Sequence, residues 1–238
     1  VSIHEFPGRR AFEWALLLPM AIPAYIIAYT YTGLLDYAGP VQSALRGIFG
    51  WNQREYWFPE IRSLPGAVLM LALVLYPYVY LLARTAFLDP SAAVLEVSRT
   101  LGAGPWRRFF AVSLPMARPA LIAGVSLVQM EALADYGTVQ YFGLGTFTTG
   151  IFRVWYGMND STAAAQLAAL LLLFVFALLL FERLSRRRAR FHHIGNRQYR
   201  PRRLPLVGPA GWLATGACLL PLLFGFLIPA GQLTAWAL

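Results

Sequence analysis

The chain has 238 residues, 58% of them hydrophobic and 13% charged, with a mean hydropathy of +0.54, whereas a soluble domain is about 45–50% apolar and about 25% charged. That balance excludes a soluble single-core domain and the disordered, collagen-like and disulfide-rich classes, and places the chain in a membrane. The net charge of +9 rests on 20 basic residues, all of them arginine. With no lysine there is no P-loop amine for a nucleotide phosphate and no Schiff base, so ATP or pyridoxal-phosphate chemistry belongs to another chain.

A membrane-spanning helix needs about 20 mostly apolar residues, and five segments meet that requirement. Residues 1–13 are charged and lack a signal-peptide cleavage pattern. The first span covers residues 14–32 and contains Pro19 and Pro23. The connection 33–64 carries Trp51, Tyr56, Trp57 and Phe58, and loops this apolar belong at the membrane interface or pack as an outer gate. The second span, 65–87, contains Pro77. Its alternating Tyr76, Tyr78 and Tyr80 cannot share a helix face, and most of them read as interfacial anchors. Pro19, Pro23 and Pro77 interrupt the helical hydrogen bonds and are candidate hinges, although packing alone also brings proline into membrane helices.

The connection 88–115 is long for packed membrane helices and carries ordered-structure signals. Asp89-Pro90 reads as an N-cap followed by the first helical position, and Ser91 to Leu101 as a helix with Val94, Val97, Ser98 and Leu101 on one face. Gly102 suits a left-handed stop. Gly104-Pro105 starts a second short helix with Trp106, Phe109, Phe110 and Ser113 on one side, interfacial in character, which Leu114-Pro115 is expected to end. The third span, 116–136, holds Glu131 and Asp135 at i,i+4 spacing, hence on one helix face. Two readings stand for this pair: a polar lining of a pathway, or helix-end carboxylates bonded to the following Gly137-Thr138 loop or to a partner helix.

The connection 137–162 is aromatic again, with Tyr141, Phe142, Phe147, Phe152, Trp155 and Tyr156. The fourth span, 163–182, has no charge from Ala163 to Phe181. The tract 183–203 is arginine-rich; with an apolar span on each side it reads as a stop-transfer anchor and linker rather than a nucleic-acid patch. Residues 204–238 are apolar and broken by Pro209, Pro221 and Pro229, either one kinked helix or a helix with the start of a loop. Sixteen of the 20 arginines fall in 1–13, in and beside 88–115, and in 183–203. These segments are therefore cytoplasmic, while 33–64 and 137–162 face outward. The lone Cys218 and the histidines His4, His192 and His193 form no metal-binding frame, so no metal site and no catalytic residue is assigned. A start at Val1 and an end within apolar sequence read as an internal fragment of a longer polypeptide.

The run Glu96-Val97-Ser98, three residues, Gly102, nine residues, Val112-Ser113-Leu114-Pro115 resembles E-A-A-x3-G-x9-I-x-L-P, the cytoplasmic loop motif of ABC importer permeases. Val-Ser replaces two alanines and Val112 replaces isoleucine. The wider phrases F-P-G-R-R-A-F-E-W-A-L-L-L-P (6–19), L-Y-P-Y-V-Y-L-L-A-R (75–84), M-E-A-L-A-D-Y-G-T-V (130–139) and Y-F-G-L-G-T-F-T-T-G-I (141–151) are similar to permeases of ferric-iron (FbpB-type) ABC importers. The resemblance covers nearly the whole chain.

The resemblance implies an all-α polytopic helix bundle of the type I ABC importer permease kind, multi-pass in a bacterial inner membrane. ATPase subunits would couple through Glu96, Val97, Ser98, Arg99, Gly102, Leu114 and Pro115. An extracytoplasmic binding protein would deliver substrate, and a second permease half, fused or separate, would complete the pathway. Residues 1–182 then form most of a first half, 183–203 a linker, and 204–238 the truncated first span of a second. The implied role is transport rather than catalysis, with no cofactor held by this chain and with ATP and Mg²⁺ on the partner ATPase; no nucleic-acid partner is expected. Related permeases carry thiamine, polyamines, phosphonates or oxyanions. A membrane-embedded enzyme is the reading from another class, with no G-x-S-x-G or H-E-x-x-H to support it.

Overall fold

The computed structural model describes residues 1–52, 55–88, 98, 100, 102, 104–187, 204–206 and 208–238. Its elements are nearly all helical. Four helical stretches have the length and hydropathy of a membrane span: Leu64–Leu88, Trp106–Ala134, Ser161–Leu184 and Pro209–Ala237. A fifth span forms only if Arg9–Ala21 and Ala24–Phe49 are taken together across a break bent by 88°. The expected 14–32 span is therefore not one helix. It comprises the end of α1 (Arg9–Ala15), a 3-10 turn (Leu18–Ala21) and α2 (Ala24–Leu35). Pro19 sits at the start of the 3-10 turn and Pro23 is the N-cap of α2. Each proline lacks an N–H and disfavours helical backbone in the residue before it, which is why the ladder stops there.

Two more prolines behave differently. The helix over Leu64–Leu88 continues through Pro77; it is α4, since α3 (Pro40–Phe49) precedes it. The helix expected to end at Leu114-Pro115 does not end: α5 (Pro105–Arg108) leads into a π-turn (Phe109–Ser113) and then α6 (Leu114–Ala134). In that turn the Leu114 N–H bonds to the Phe109 carbonyl, five residues back. The wider turn makes room for the Pro115 ring, so the helix continues without breaking. After α6 come α7 (Gly137–Tyr141), α8 (Phe147–Phe152), a π-turn (Arg153–Gly157) and α9 (Ser161–Arg187). The last stretch is α10 (Pro209–Leu222), a π-turn (Leu223–Leu227) and α11 (Ile228–Ala237). Of the two readings of 204–238, the single helix with irregular turns is the one observed.

Two compact units account for the packing. The first comprises Val1–Leu16, Tyr76–Glu131 and Leu173–Leu219; the second comprises Leu17–Leu75, Ala132–Leu172 and Leu220–Leu238. In the first unit, β1 (His4–Glu5) pairs in parallel with β2 (Leu204–Pro205), a two-residue contact that helical periodicity does not announce. The Leu206 N–H bonds to the Glu5 carbonyl at 2.8 Å, and the Thr215 hydroxyl to the Pro7 carbonyl at 2.9 Å. Also there, a Cβ added at Gly124 of α6 would lie 2.9 Å from the Val79 Cα of α4. Glycine thus permits a close helix crossing, as small residues do where lipid supplies no hydrophobic drive.

Candidate functional site

Of the proposed coupling residues, Glu96, Val97 and Arg99 lie outside the described residues. Ser98 is helical, and Gly102 is exposed with φ +75°, the left-handed backbone expected of a helix stop. Among the described residues nothing lies within 4 Å of a Cβ added there, and the positive φ is the observed reason for glycine. Leu114 and Pro115 lie within the continuous helix. Ahead of them, Trp106 and Phe110 stack at 6.1 Å and are exposed, as a lipid-facing aromatic pair would be.

The first unit also holds a charge cluster that a count of arginines treats only as a topology signal. Arg9 is only 5% exposed; its Nε donates to Glu5 at 3.0 Å and its Nη1 to Glu13 at 3.1 Å. Glu13 accepts from Arg84 of α4 as well, and its carbonyl accepts from the Tyr80 hydroxyl at 3.2 Å. Glu5, Arg9 and Glu13 stand at i,i+4 steps, a pairing signal present in the sequence. Tyr80 is thus a hydrogen-bond donor to the N-terminal segment, and the Tyr76 hydroxyl is buried. Burial holds His4, in β1, below the ordinary imidazole value of 6.5, with Arg108 adding to the shift. A cleft of about 290 Å³ lies between α6 and α9, apolar apart from Ser126, Gln129 and the buried Glu182.

In the second unit, polar groups repair what the prolines and turns disrupt. α6 ends at Ala134, so Asp135 is past the helix and the shared face expected with Glu131 does not extend to it. Its carboxylate instead accepts from the Thr138 N–H, the Thr138 hydroxyl and the Val139 N–H, each at 3.1 Å, and so caps α7. Its carbonyl accepts from the Thr148 hydroxyl at 2.8 Å, and Thr146 and Thr149 form a capping box on α8, which satisfies the first donors of that helix. Glu131 is exposed. Of the two readings for the pair, the turn-bonded one describes Asp135.

The Tyr31 hydroxyl of α2 donates to the Phe224 carbonyl at 2.5 Å. In the π-turn Leu223–Leu227 the Ile228 N–H reaches the Leu223 carbonyl, so the next donor in that register would be residue 229, a proline with no N–H. Tyr31 supplies the hydrogen bond that Pro229 cannot. The Leu73 carbonyl is likewise deprived of its helical donor by Pro77. Gly225 approaches it so closely that an added Cβ would lie 2.9 Å away.

At the 33–64 connection, α3 starts at Pro40 and stops at left-handed Gly50. The Gln42 Nε2 donates to the Leu35 carbonyl at 2.8 Å, and its Oε1 accepts from the Tyr56 hydroxyl at 2.7 Å. Arg46 donates to that same phenol oxygen at 3.0 Å and lies 4.1 Å over the Tyr37 ring, a cation–π arrangement. Arg62 lies 5.3 Å over Tyr141. A recess of about 280 Å³, lined by Asp36, Gln42, Glu60 and Arg62 among others, sits behind α3. Among the described residues no group of three or more His, Cys, Asp or Glu is placed to hold a metal ion.

Four apolar helical stretches of spanning length, together with the Tyr31 hydrogen bond to the carbonyl that Pro229 leaves free, define a polytopic membrane protein. The chain belongs to the family described as binding-protein-dependent transport system inner membrane component, whose model matches residues 4–190. It is a multi-pass inner-membrane protein. It is 27% identical over 202 residues to the Fe(3+)-transport system permease protein FbpB 2 of Haemophilus influenzae, covering 83% of this chain and 35% of that one. It is 29% identical over 137 residues to the molybdenum transport system permease protein ModB of Escherichia coli K12, covering 58% of this chain and 57% of that protein. It is 27% identical over 136 residues to the probable sulfate transport system permease protein cysT of Nephroselmis olivacea, covering 57% and 45%. The chain spans less than two thirds of the length of each of these three.

Proposed function

We propose that this chain is the permease component of an ATP-driven ABC importer and that its cargo is ferric iron. The family match over residues 4–190 carries the permease reading, and the spacing Glu96, Gly102, Leu114-Pro115 supports it. ATPase subunits, holding ATP and Mg²⁺, dock on 88–115, and an extracytoplasmic binding protein delivers cargo on the opposite side. A second permease half completes the pathway, with residues 1–182 contributing to the first half and 204–238 opening the second. Pro19 and Pro23, at a real helix break, are better placed as hinges than Pro77, which lies inside a continuous helix. Glu131 is the proposed lining carboxylate, since Asp135 is engaged as a cap; a hard oxygen donor suits a ferric ion in transit.

Iron is supported by the 27% identity, over 83% of this chain, to a relative named for Fe(3+) transport. A second reading, an oxyanion, is supported by relatives named for molybdenum and sulfate transport. Uptake by the complete transporter in vesicles, with its ATPase and binding protein, separates them. ATP-dependent accumulation of ferric iron, with neither molybdate nor sulfate carried, is the expected result. Molybdate or sulfate uptake without iron moves the cargo to an oxyanion, and no ATP-dependent uptake of any substrate overturns the permease reading. Coupling has its own test at Gly102. Gly102→Ala forces a Cβ into left-handed backbone, at about 1–2 kcal/mol, and is expected to depress uptake, while Gly102→Asn, which tolerates that conformation, retains more of it.

A further inference from the structure

Helix α3 is turned the opposite way to a water-facing helix. Its two largest polar side chains point inward: Gln42 is buried and Arg46 half-buried, and both are bonded to Tyr56. Its exposed surface is formed by Val41, Ser43, Ala44, Gly47 and Ile48, with no charge among them. Ile48 is 75% exposed, and beyond the helix end Trp57 is 87% exposed. Phe49 and Trp51, stacked at 4.5 Å, are exposed too. An amphipathic helix in water shows the reverse pattern. Gln42 and Arg46 stand on the inner side of α3 and only Ser43 is a polar residue on the outer side, so the uncharged outer side does not arise from a lack of alternatives.

We infer that α3 and its flanking aromatics form an anchor lying in the headgroup–acyl interface of the bilayer, with a lipid surface as the partner. Length supports this: ten residues fall well short of the roughly 20 needed to cross a bilayer, so α3 lies along the surface. Continuity supports it as well. Six residues, 58–63, separate Trp57 from α4, whose first turns expose Leu64, Val68 and Leu69, and α4 is a spanning helix with lipid-facing sides. The same unit presents a second exposed aromatic set, Trp155 and Tyr156. Tryptophan and tyrosine concentrate at this depth because the ring is apolar and its N–H or O–H is wet. The anchor would also hold the Gln42–Tyr56 wall of the recess in place.

The inference needs only the membrane location, not the cargo or the ATPase. It is tested on the full-length protein carrying Cys218→Ala, with one cysteine at a time from Ile48→Cys, Trp57→Cys or Glu55→Cys, each labelled with a fluorophore. Ile48 and Trp57 are exposed, so their substitution removes little packing. Reconstitution is in phosphatidylcholine–phosphatidylglycerol vesicles with and without brominated lipid, with iodide as the aqueous quencher. Labels at 48 and 57 are expected to be quenched by brominated lipid about threefold more than at 55, and by iodide correspondingly less. Equal iodide quenching at all three positions overturns the inference. So does shielding of 48 and 57 from both quenchers, or protection from iodide that arises only when the binding protein is added, which would make this face a protein dock.

Discussion

Replacing Tyr31 by phenylalanine tests whether a proline in one helix dictates a donor in another. The ring is retained, so packing around the buried side chain is kept. The change deletes the hydroxyl that donates to the Phe224 carbonyl at 2.5 Å. A buried acceptor left without a donor costs about 1–3 kcal/mol. Interhelical polar contacts in membranes average lower, about 0.6 kcal/mol, because the unfolded chain in the bilayer also finds partners. Here the acceptor's own backbone donor is excluded by Pro229, which argues for a cost above that average, about 1–2 kcal/mol. For a chain of this size that is a fall in Tm of about 2–8 °C, read by thermal unfolding in detergent. The decisive arm is the cycle with Pro229→Ala. Alanine restores an N–H, so the Phe224 carbonyl gains a backbone donor in either the π or the α register. Tyr31→Phe should then cost measurably less in that background. An equal cost in both backgrounds, or a loss below about 0.5 kcal/mol in the parent, would refute the compensation argument.

Glu13→Gln removes the carboxylate shared by Arg9 and Arg84 and should destabilise by about 1.5–3 kcal/mol, as the loss of hydrogen bonds to charged groups does; thermal unfolding checks it. Glu5→Gln alters a more exposed carboxylate with Arg9 as its ion-pair partner and should cost less in the same assay. Gly124→Leu places a side chain where even a Cβ lies 2.9 Å from the Val79 backbone, and overpacking of about 1–3 kcal/mol follows; cross-linking between cysteines introduced beside positions 79 and 124 should weaken in parallel. His4 has a folded-state pKa below its unfolded 6.5, so the unfolded chain takes up the proton first. Stability should be intact above pH 6.5 and decline as pH falls through the unfolded value towards the folded one, and His4→Gln should flatten that part of a Tm-against-pH curve.

The positions of the apolar helices were written in the chain itself. Leu64–Leu88 and Ser161–Arg187 fall within a few residues of the expected 65–87 and 163–182, because spanning length and hydropathy are local properties of a run of residues. Family membership was legible for a similar reason: the loop spacing from Glu96 to Pro115 and the phrases around it are strings. The left-handed Gly102 was legible as well, since one residue's conformational freedom is local. Proline effects were only half legible. A proline withholds an N–H wherever it stands, but whether the helix breaks, as at Pro23, or continues, as at Pro77 and Pro115, depends on room for the ring and on a donor or close neighbour for the freed carbonyl.

Matters that turn on partners distant in the chain waited for the folded arrangement. Tyr31 and Phe224 are 193 residues apart, and no periodicity links them. Asp135 stood at i,i+4 from Glu131, yet the helix ends one residue before it, and the competing backbone N–H groups of Thr138 and Val139 take its carboxylate. The arginines counted for topology included Arg9, which is buried among carboxylates, and the charge count could not distinguish it from a solvated one. In each case the residue type was evident beforehand. What remained to be fixed was which unsatisfied group lay within hydrogen-bonding reach, and folding alone supplies that distance.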